Sequence, residues 1–475
     1  VSLWHSKFRY TAGDASNRNG GNFVSTWVDR TLFVGPDDET CLHVGAPISR
    51  AELRREVEQR QAVLEGLGVS SGGTVALRLP PSLAYVANLL AAWRLGAQVS
   101  LLDHRLTQYE VDQALARLEP QVVVSAEGTL PGGLRAFYVV TDVAARRDSG
   151  RPSETEHAVI QLSSGSTGPS KVIGRTASNL IEEIARYTKI DGVPQPGERV
   201  VLMASVVHVL GLVGGLLYCL HAGTELAIPE RLTVDSILKL VASSDKRTTM
   251  LGVPFHIELL ASVENPPELP QLARMTTGGE LVRSEVWQRF TSRYGVPLGN
   301  MYGMTEVGVI ATDLFGENRP SLMPAPGLNV AEDEGEIVIE MAHSPYLGLS
   351  DPSRWADGFL RTKDAGTVSA STGLLTIHGR LDSQVSVGGL KVDLTEVEHT
   401  LAALPGVENA VVVYDNGIEA YAVVPDPTDA AALETLLAQR LAAYKRPRAI
   451  HVVEQLPRTA TGKLVRAQSV LKTAK

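Results

Sequence analysis

Cysteine is almost missing from this chain. Among 475 residues there are two, Cys41 and Cys219, far apart and with no C-x-x-C unit. That excludes a disulfide scaffold and a thiolate zinc site, and it fits a reducing compartment. An excess of positive charge is missing too: 44 Lys and Arg stand against 53 Asp and Glu, a net charge of −9. No broad face is available to neutralise a polyanion, so a general nucleic-acid binder is excluded. The first residues (Val1 to Lys7) hold no apolar run of signal-peptide length, and the expectation is a cytoplasmic protein. Internal repeats and low-complexity tracts are absent as well. What is present is a hydrophobic fraction of 44% and a charged fraction of 20%, enough for a large core and against wholesale disorder. At roughly 150 residues per domain, two or three folding units are expected.

One segment, Val200 to Thr224, carries no charge and is long enough to span a bilayer as one helix. Ser205, His208, Gly211, Gly214, Gly215 and His221 interrupt it, so it divides into a buried strand (Val200 to Ala204) and a buried helix (Val209 to Leu220). The same alternation runs on both sides. Ser49 with Glu52 forms a capping box for a helix over Ala51 to Glu65, ended by Gly66; Thr107 with Glu110 forms a second. Strands are expected at Thr74 to Leu79, Val99 to Leu102, Val122 to Ser125, Val159 to Leu162, Thr248 to Leu251 and Met275 to Thr277. This pattern predicts an α/β fold: a large N-terminal domain of mostly parallel, helix-covered sheets. After Gly335, short strands with glycine turns predict an antiparallel β subdomain. After Gly379-Arg-Leu-Asp382 a small α+β pattern begins, which places a domain boundary at Leu381–Ser383. The domains are then 1–381 and 382–475.

Several motifs invite a chemical reading. Gly68-Val-Ser-Ser-Gly72 fits the G-x-S-x-G pattern of serine hydrolases, but a helix precedes it and a strand follows, the reverse of a nucleophile elbow. It reads as a helix-to-strand turn. Leu162-Ser-Ser-Gly-Ser-Thr-Gly-Pro-Ser-Lys171 follows a buried strand and gathers glycines, hydroxyls and one lysine, the means to hold an anion. It is no Walker A loop, and by itself it reads equally as a flexible connection. Asn300-Met-Tyr-Gly-Met-Thr-Glu306 offers an aromatic face for a base, a hydroxyl for phosphate and a carboxylate for Mg²⁺; alone it also reads as strand, turn and helix with Thr305 as cap. Arg361-Thr-Lys-Asp364 and Gly379-Arg-Leu-Asp382 each read singly as solvated turns, and Pro457-Arg-Thr-Ala-Thr-Gly-Lys463 as a solvated tail.

Taken together and in this order, from about Ser49 to Arg466, these motifs resemble the adenylate-forming superfamily of acyl- and aryl-CoA synthetases, peptide-synthetase adenylation domains and firefly luciferase. The resemblance implies that Ser163, Ser164, Gly165, Ser166, Thr167, Gly168 and Lys171 form the phosphate loop of an ATP site. Thr277-Gly278-Gly279-Glu280 resembles the adenine-side segment, and Met301, Tyr302, Gly303 and Thr305 belong to the Y-G-x-T-E motif. Asp364 and Arg380 fall on the ribose-contacting positions, Glu306 on the Mg²⁺ ligand, Asp382 on the hinge, and Lys463 on the catalytic lysine. Gly388 and Gly389 resemble the loop that faces the active site during thioester formation. The chain departs from the family in ending its phosphate loop Pro169-Ser170-Lys171-Val172, in placing Lys363 where R-T-G-D has glycine, and in Ser386 and Gly388 after the hinge.

The chemistry implied is attack of a carboxylate on the α-phosphorus of MgATP, then displacement of AMP by a thiol. Thr305 and Lys463 would act on the α-phosphate and the attacking acid. Where amino-acid-activating relatives carry an amine-binding aspartate, this chain has Val207-His208. A catalytic or substrate-facing His208, with Val207, Gly211, Thr277, Gly278, Gly303 and Met304 around it, suits an apolar or aryl acid without an amine. The expected protein is an ATP-dependent acid–thiol ligase using ATP, Mg²⁺ and CoA, with an acyl-carrier protein as the alternative acceptor.

Overall fold

The structure, a computed structural model, describes residues 26–132, 135–163, 171–279, 282–381, 383–424, 430–457, 465–466 and 468–472. Two large sheets dominate it. One has seven strands, in the order Tyr346–Leu347, Lys171–Thr176, His157–Ser163, Gln98–Leu101, Thr74–Arg78, Val122–Ala126 and Asp142–Arg146. The other has nine and holds the parallel run Leu298–Met304, Leu272–Gly278, Thr248–Gly252, Arg199–Leu202, Glu225–Ile228 and Thr40–Val44 at its centre. Helices cover these strands on both faces, which is why the strands read as unbroken apolar runs. Leu83–Arg94 is the most buried of the helices. Ser82 caps it by accepting from the Tyr85 N–H (3.0 Å), and the indole of Trp93 donates to Ala158 O (2.7 Å).

Both capping boxes form as the sequence predicts, at Ser49/Glu52 and Thr107/Glu110. Such caps contribute about 1 kcal/mol each. Gly66, expected to end the first of these helices, is its last residue instead. The left-handed position falls at Gly68 (φ +79°), the first residue of the G-x-S-x-G turn. The uncharged segment folds as the strand Arg199–Leu202 and a helix that runs in π form over Leu210–Leu217 and in α form over Tyr218–Ala222. No helix among the described residues is long and apolar enough to cross a membrane.

A five-stranded antiparallel sheet follows, built on Glu336–Glu340, Phe359–Val368 and Leu375–Arg380. Beyond it come a two-stranded hairpin, Gln384–Val387 with Leu390–Asp393, and a three-stranded sheet of Asn409–Tyr414, Ile418–Val423 and Ala449–Val453. This last unit has its own core, centred on Val397, Leu401, Val412, Ala420 and Leu433. Together these elements are the expected fold: a large helix-covered α/β part, a β subdomain and a small α+β part.

Candidate active site

A cavity of about 1150 Å³ opens where the large sheets, the β subdomain and the C-terminal hairpin meet. Its floor is the carboxyl ends of parallel strands, the usual ligand position in open α/β sheets. Leu298–Met304 and Gly308–Asp313 form an antiparallel hairpin that carries Tyr302, Thr305 and Glu306 across this floor. A strand follows the motif rather than a helix, so Thr305 is a turn residue and caps nothing.

Asp364 and Arg380 are not on surface turns. They face each other in register on the paired strands Phe359–Val368 and Leu375–Arg380, and Asp364 is buried. Its Oδ1 accepts from Arg380 (3.0 Å) and its Oδ2 from the Tyr302 hydroxyl (2.6 Å). Burial, with the Asp364 charge beside it, holds the Tyr302 phenol well above its ordinary pKa, so it remains a donor. Tyr302, Asp364 and Arg380 thus form one rigid edge of the cavity.

Glu306 is buried at the other side and accepts from the Tyr346 hydroxyl (3.0 Å). Burial raises its carboxyl above the usual range; the Tyr346 hydrogen bond and the charges of Lys171 and Arg354 oppose that shift. Lys171, also buried, has its ammonium 5.9 Å from the Tyr346 ring centroid. It opens the strand Lys171–Thr176, which pairs antiparallel with His157–Ser163. Behind this group, Glu183 accepts from the Val309 N–H (2.9 Å) and from Arg175, fixing the hairpin from below. Ser163 closes its strand; Ser164, Gly165, Ser166, Thr167, Gly168, Glu280, Asp382 and Lys463 lie outside the described residues.

Another wall of the cavity is shaped by the turn before the π-form helix. His208 stands just before that helix. Its side chain is 46% exposed, lines the cavity, and puts Nε2 3.6 Å from Asp103 Oδ2. Val207 beside it is buried, and its carbonyl accepts from Gln161 (2.7 Å). Asp103 accepts from Arg105 Nε (2.8 Å) and Nη2 (2.5 Å). Burial works against its charge, yet the Arg105 and His208 bonds and charges hold its carboxyl well below the usual range. Sequence reasoning missed Asp103 and Arg105, since Asp-His-Arg at a strand end matches no motif. Gly278, Gly303 and Met304 line the cavity, with Gly279 and Met301. Gly211 and Thr277 do not. A Cβ at Gly211 would lie 2.2 Å from Ser205 O, so this glycine serves close backbone packing behind the wall. Thr277 is buried on the strand Leu272–Gly278, behind the cavity face.

The C-terminal hairpin closes the cavity from above. Gly388 and Gly389 make its turn in left-handed conformations (φ +57° and +81°). A Cβ on Gly389 would lie 2.6 Å from Val253, and Lys391 donates to Gly279 O (3.0 Å). Farther out, the buried Lys445 ammonium bridges Glu110 (2.9 Å) and Glu396 (2.7 Å). Sequence reasoning missed this contact too; it joins residues more than 300 positions apart and leaves no local signal.

The profile of the AMP-binding enzyme family matches residues 26–343, and that of the AMP-binding enzyme C-terminal domain matches residues 396–463. The chain belongs to the AMP-binding enzymes. This adenylate-forming chain is similar to a 2-succinylbenzoate–CoA ligase of Listeria monocytogenes, 25% identical, with 93% of this chain and 98% of that protein covered. It is 27% identical to a 4-chlorobenzoate–CoA ligase of an Arthrobacter species, over 89% of each chain. Its fold matches that of the Bacillus subtilis o-succinylbenzoate CoA synthetase bound to a product analogue, with a TM-score of 0.79, 22% identity, and 94% of this chain and 98% of that one covered.

Proposed function

We propose that this AMP-binding enzyme is an acid–thiol ligase that activates a hydrophobic or aromatic carboxylic acid with ATP and passes the acyl group to CoA. One observation carries the reading: a single cavity is lined by Tyr302, Asp364 and Arg380 on one side, His208 on another, and the Gly388–Gly389 turn above. On this reading the three walls would take a nucleotide, an acid and a thiol. The aryl acids in the names of the similar ligases fit the acid side.

In the first step a carboxylate oxygen attacks the α-phosphorus and pyrophosphate leaves. In the second a thiolate sulfur attacks the acyl carbonyl and AMP leaves. Tyr302 and Asp364 would hold the nucleoside, and Thr305 the α-phosphate. Among the described residues no cluster of three His, Cys, Asp or Glu forms. Glu306, a buried carboxylate on the cavity wall, fits a Mg²⁺ that arrives on ATP and keeps most of its ligands from phosphate and water. That ion would neutralise the charge that builds on the leaving pyrophosphate. His208, with Asp103 and Arg105 behind it, would face the acid. Gly388 and Gly389 line the cavity, which supports a role in the thioester step. Lys463 keeps its assignment to adenylation from the sequence resemblance. Asp382 is the proposed hinge between 1–381 and 382–475. A cytoplasmic location belongs to the same reading and is supported by two buried, unpaired cysteines.

The test is a pyrophosphate-release screen over aryl, apolar and amino acids, with CoA added or withheld. Release with aryl or apolar acids, and thioester only when CoA is present, is the expected result. Preference for one free α-amino acid over every simple acid would overturn the substrate class. Acyl-AMP that accumulates with CoA present but is consumed by an acyl-carrier protein would move the acceptor from CoA to that protein.

A further inference from the structure

The segment between Tyr346 and Asp364 holds a cation that no motif announces. Tyr346–Leu347 pairs with the strand Lys171–Thr176, and Trp355–Ala356 pairs with Phe359–Val368, which carries Asp364. The chain therefore crosses from the strand that Lys171 opens to the strand that carries Asp364, and Arg354 sits on that crossing. Its backbone is fixed at both ends: the Arg354 N–H donates to Asp351 O (2.9 Å), and its carbonyl accepts from the Arg361 N–H (2.8 Å). The side chain is 7% exposed and lines the same cavity as Lys171 and Glu306.

The surrounding charges define what it can hold. Lys171 and Arg354 both act on Glu306 and on Asp351. Asp351 is already engaged by the Ser353 N–H (3.0 Å) and hydroxyl (2.7 Å). Residues 164–170 carry no charge at all, and the proline, lysine and glycine that usually close such a loop are rearranged here. Positive charge for a triphosphate tail must come from the flanks. Lys171 and Arg354 line one cavity with Glu306, and a guanidinium offers a planar fork that fits phosphate oxygens.

We propose that Arg354 is a phosphate-binding residue for the β- and γ-phosphates of ATP and for the pyrophosphate they become, working beside Lys171. This rests on the adenylating function proposed above. Calorimetric titration of Arg354→Gln and Arg354→Lys with MgATP, magnesium pyrophosphate and AMP tests it, with the unmutated enzyme as reference. Arg354→Gln should weaken ATP and pyrophosphate by about ten- to a hundredfold, the scale of a lost charge-assisted bond. AMP, which lacks both phosphates, should bind within about twofold of the reference, a band too narrow to register a lost bond of that scale. Arg354→Lys should lose less, because a point charge remains. Equal weakening of AMP and ATP would make Arg354 a support of the site rather than a ligand, and unchanged pyrophosphate binding would remove it from the site. If the glutamine variant lacks a cooperative melt, the ratio of AMP to ATP affinity in the lysine variant decides by the same criterion. Failure of the unmutated enzyme to bind either nucleotide would sink the functional reading, and this inference with it.

Discussion

A buried histidine gives the cavity wall a pH dependence that can be signed. His256 is 4% exposed; its Nδ1 accepts from the Val253 N–H (3.1 Å), and burial pushes its pKa down to about 4. The unfolded chain binds a proton near pH 6.5, whereas the folded one resists it until about 4. The contribution of neutral His256 is therefore complete above pH 6.5 and is lost as pH falls from there towards 4. A shift of that size amounts to about 3 kcal/mol. Urea unfolding at pH 7.5 and 4.5 should show a smaller drop for His256→Gln than for the unmutated chain. Some slope should persist, because burial also lowers His104, to about 4. A variant with the same pH slope as the parent would show that His256 is protonated with no cost to the fold.

At the scale of elements, the C-terminal hairpin offers an internal control. Gly388 and Gly389 are neighbours in one turn, both at positive φ, yet a Cβ at Gly388 meets nothing within 4 Å while one at Gly389 meets Val253 at 2.6 Å. Gly389→Ala should push the hairpin off the cavity. Pyrophosphate release in the first turnover should stay within a few fold, and thioester formation should fall by about tenfold or more, the price of some 1–2 kcal/mol of left-handed strain plus the clash. Gly388→Ala should be milder in both half-reactions. Equal loss of the two half-reactions in Gly389→Ala would point to misfolding of the hairpin instead.

The same scale explains what was legible in the sequence. Parallel strands such as Thr248–Gly252 announce themselves, because both faces are covered and every position is apolar or small. Phe359–Val368 is legible only at its start, where Gly358-Phe-Leu-Arg-Thr362 reads as a short strand. Of its buried positions, Leu360 packs in the core of the β subdomain, while Thr362 and Asp364 line the cavity and are polar for that reason, so the period-two pattern dissolves there into what reads as a solvated turn. The motif around Tyr302 was legible as chemistry but not as a hairpin, since its glycine and threonine read as a helix start. Contacts such as Tyr346 with Glu306, or Asp103 with His208, join distant segments through single atoms and follow no spacing. Gly211 and Thr277 show the converse: glycine and hydroxyl residues near a motif need not line its cavity.

For the whole molecule, the contact that matters most is Lys445. Burial opposes its charge, but Glu396, Tyr444 and Glu110 outweigh burial and raise the ammonium above its ordinary pKa. Lys445→Met would leave two carboxylates facing each other with no cation, a loss of about 3–5 kcal/mol for a buried pair broken on one side. The C-terminal unit should then leave its seat. A larger radius of gyration by solution scattering and faster proteolysis between residues 381 and 383 are the expected signs. An unchanged radius and digestion rate would mean that the hairpin and Lys391 hold the unit without this lysine.

The proposed hinge motion would part this seat in the unmutated enzyme as well. Glu110 belongs to the large part of the molecule and also accepts from the Thr107 N–H and hydroxyl (both 2.9 Å) as the capping box of its own helix. Lys445 and Glu396 belong to the small part and would stay together in that motion. Parting the two bodies therefore strands no ion: the lysine keeps one carboxylate, and the other carboxylate keeps its cap and meets water. The loss is about one charge-assisted bond, roughly 1.5–3 kcal/mol. That makes a clasp, not a weld, able to open and shut within the microseconds to milliseconds that domain motions take.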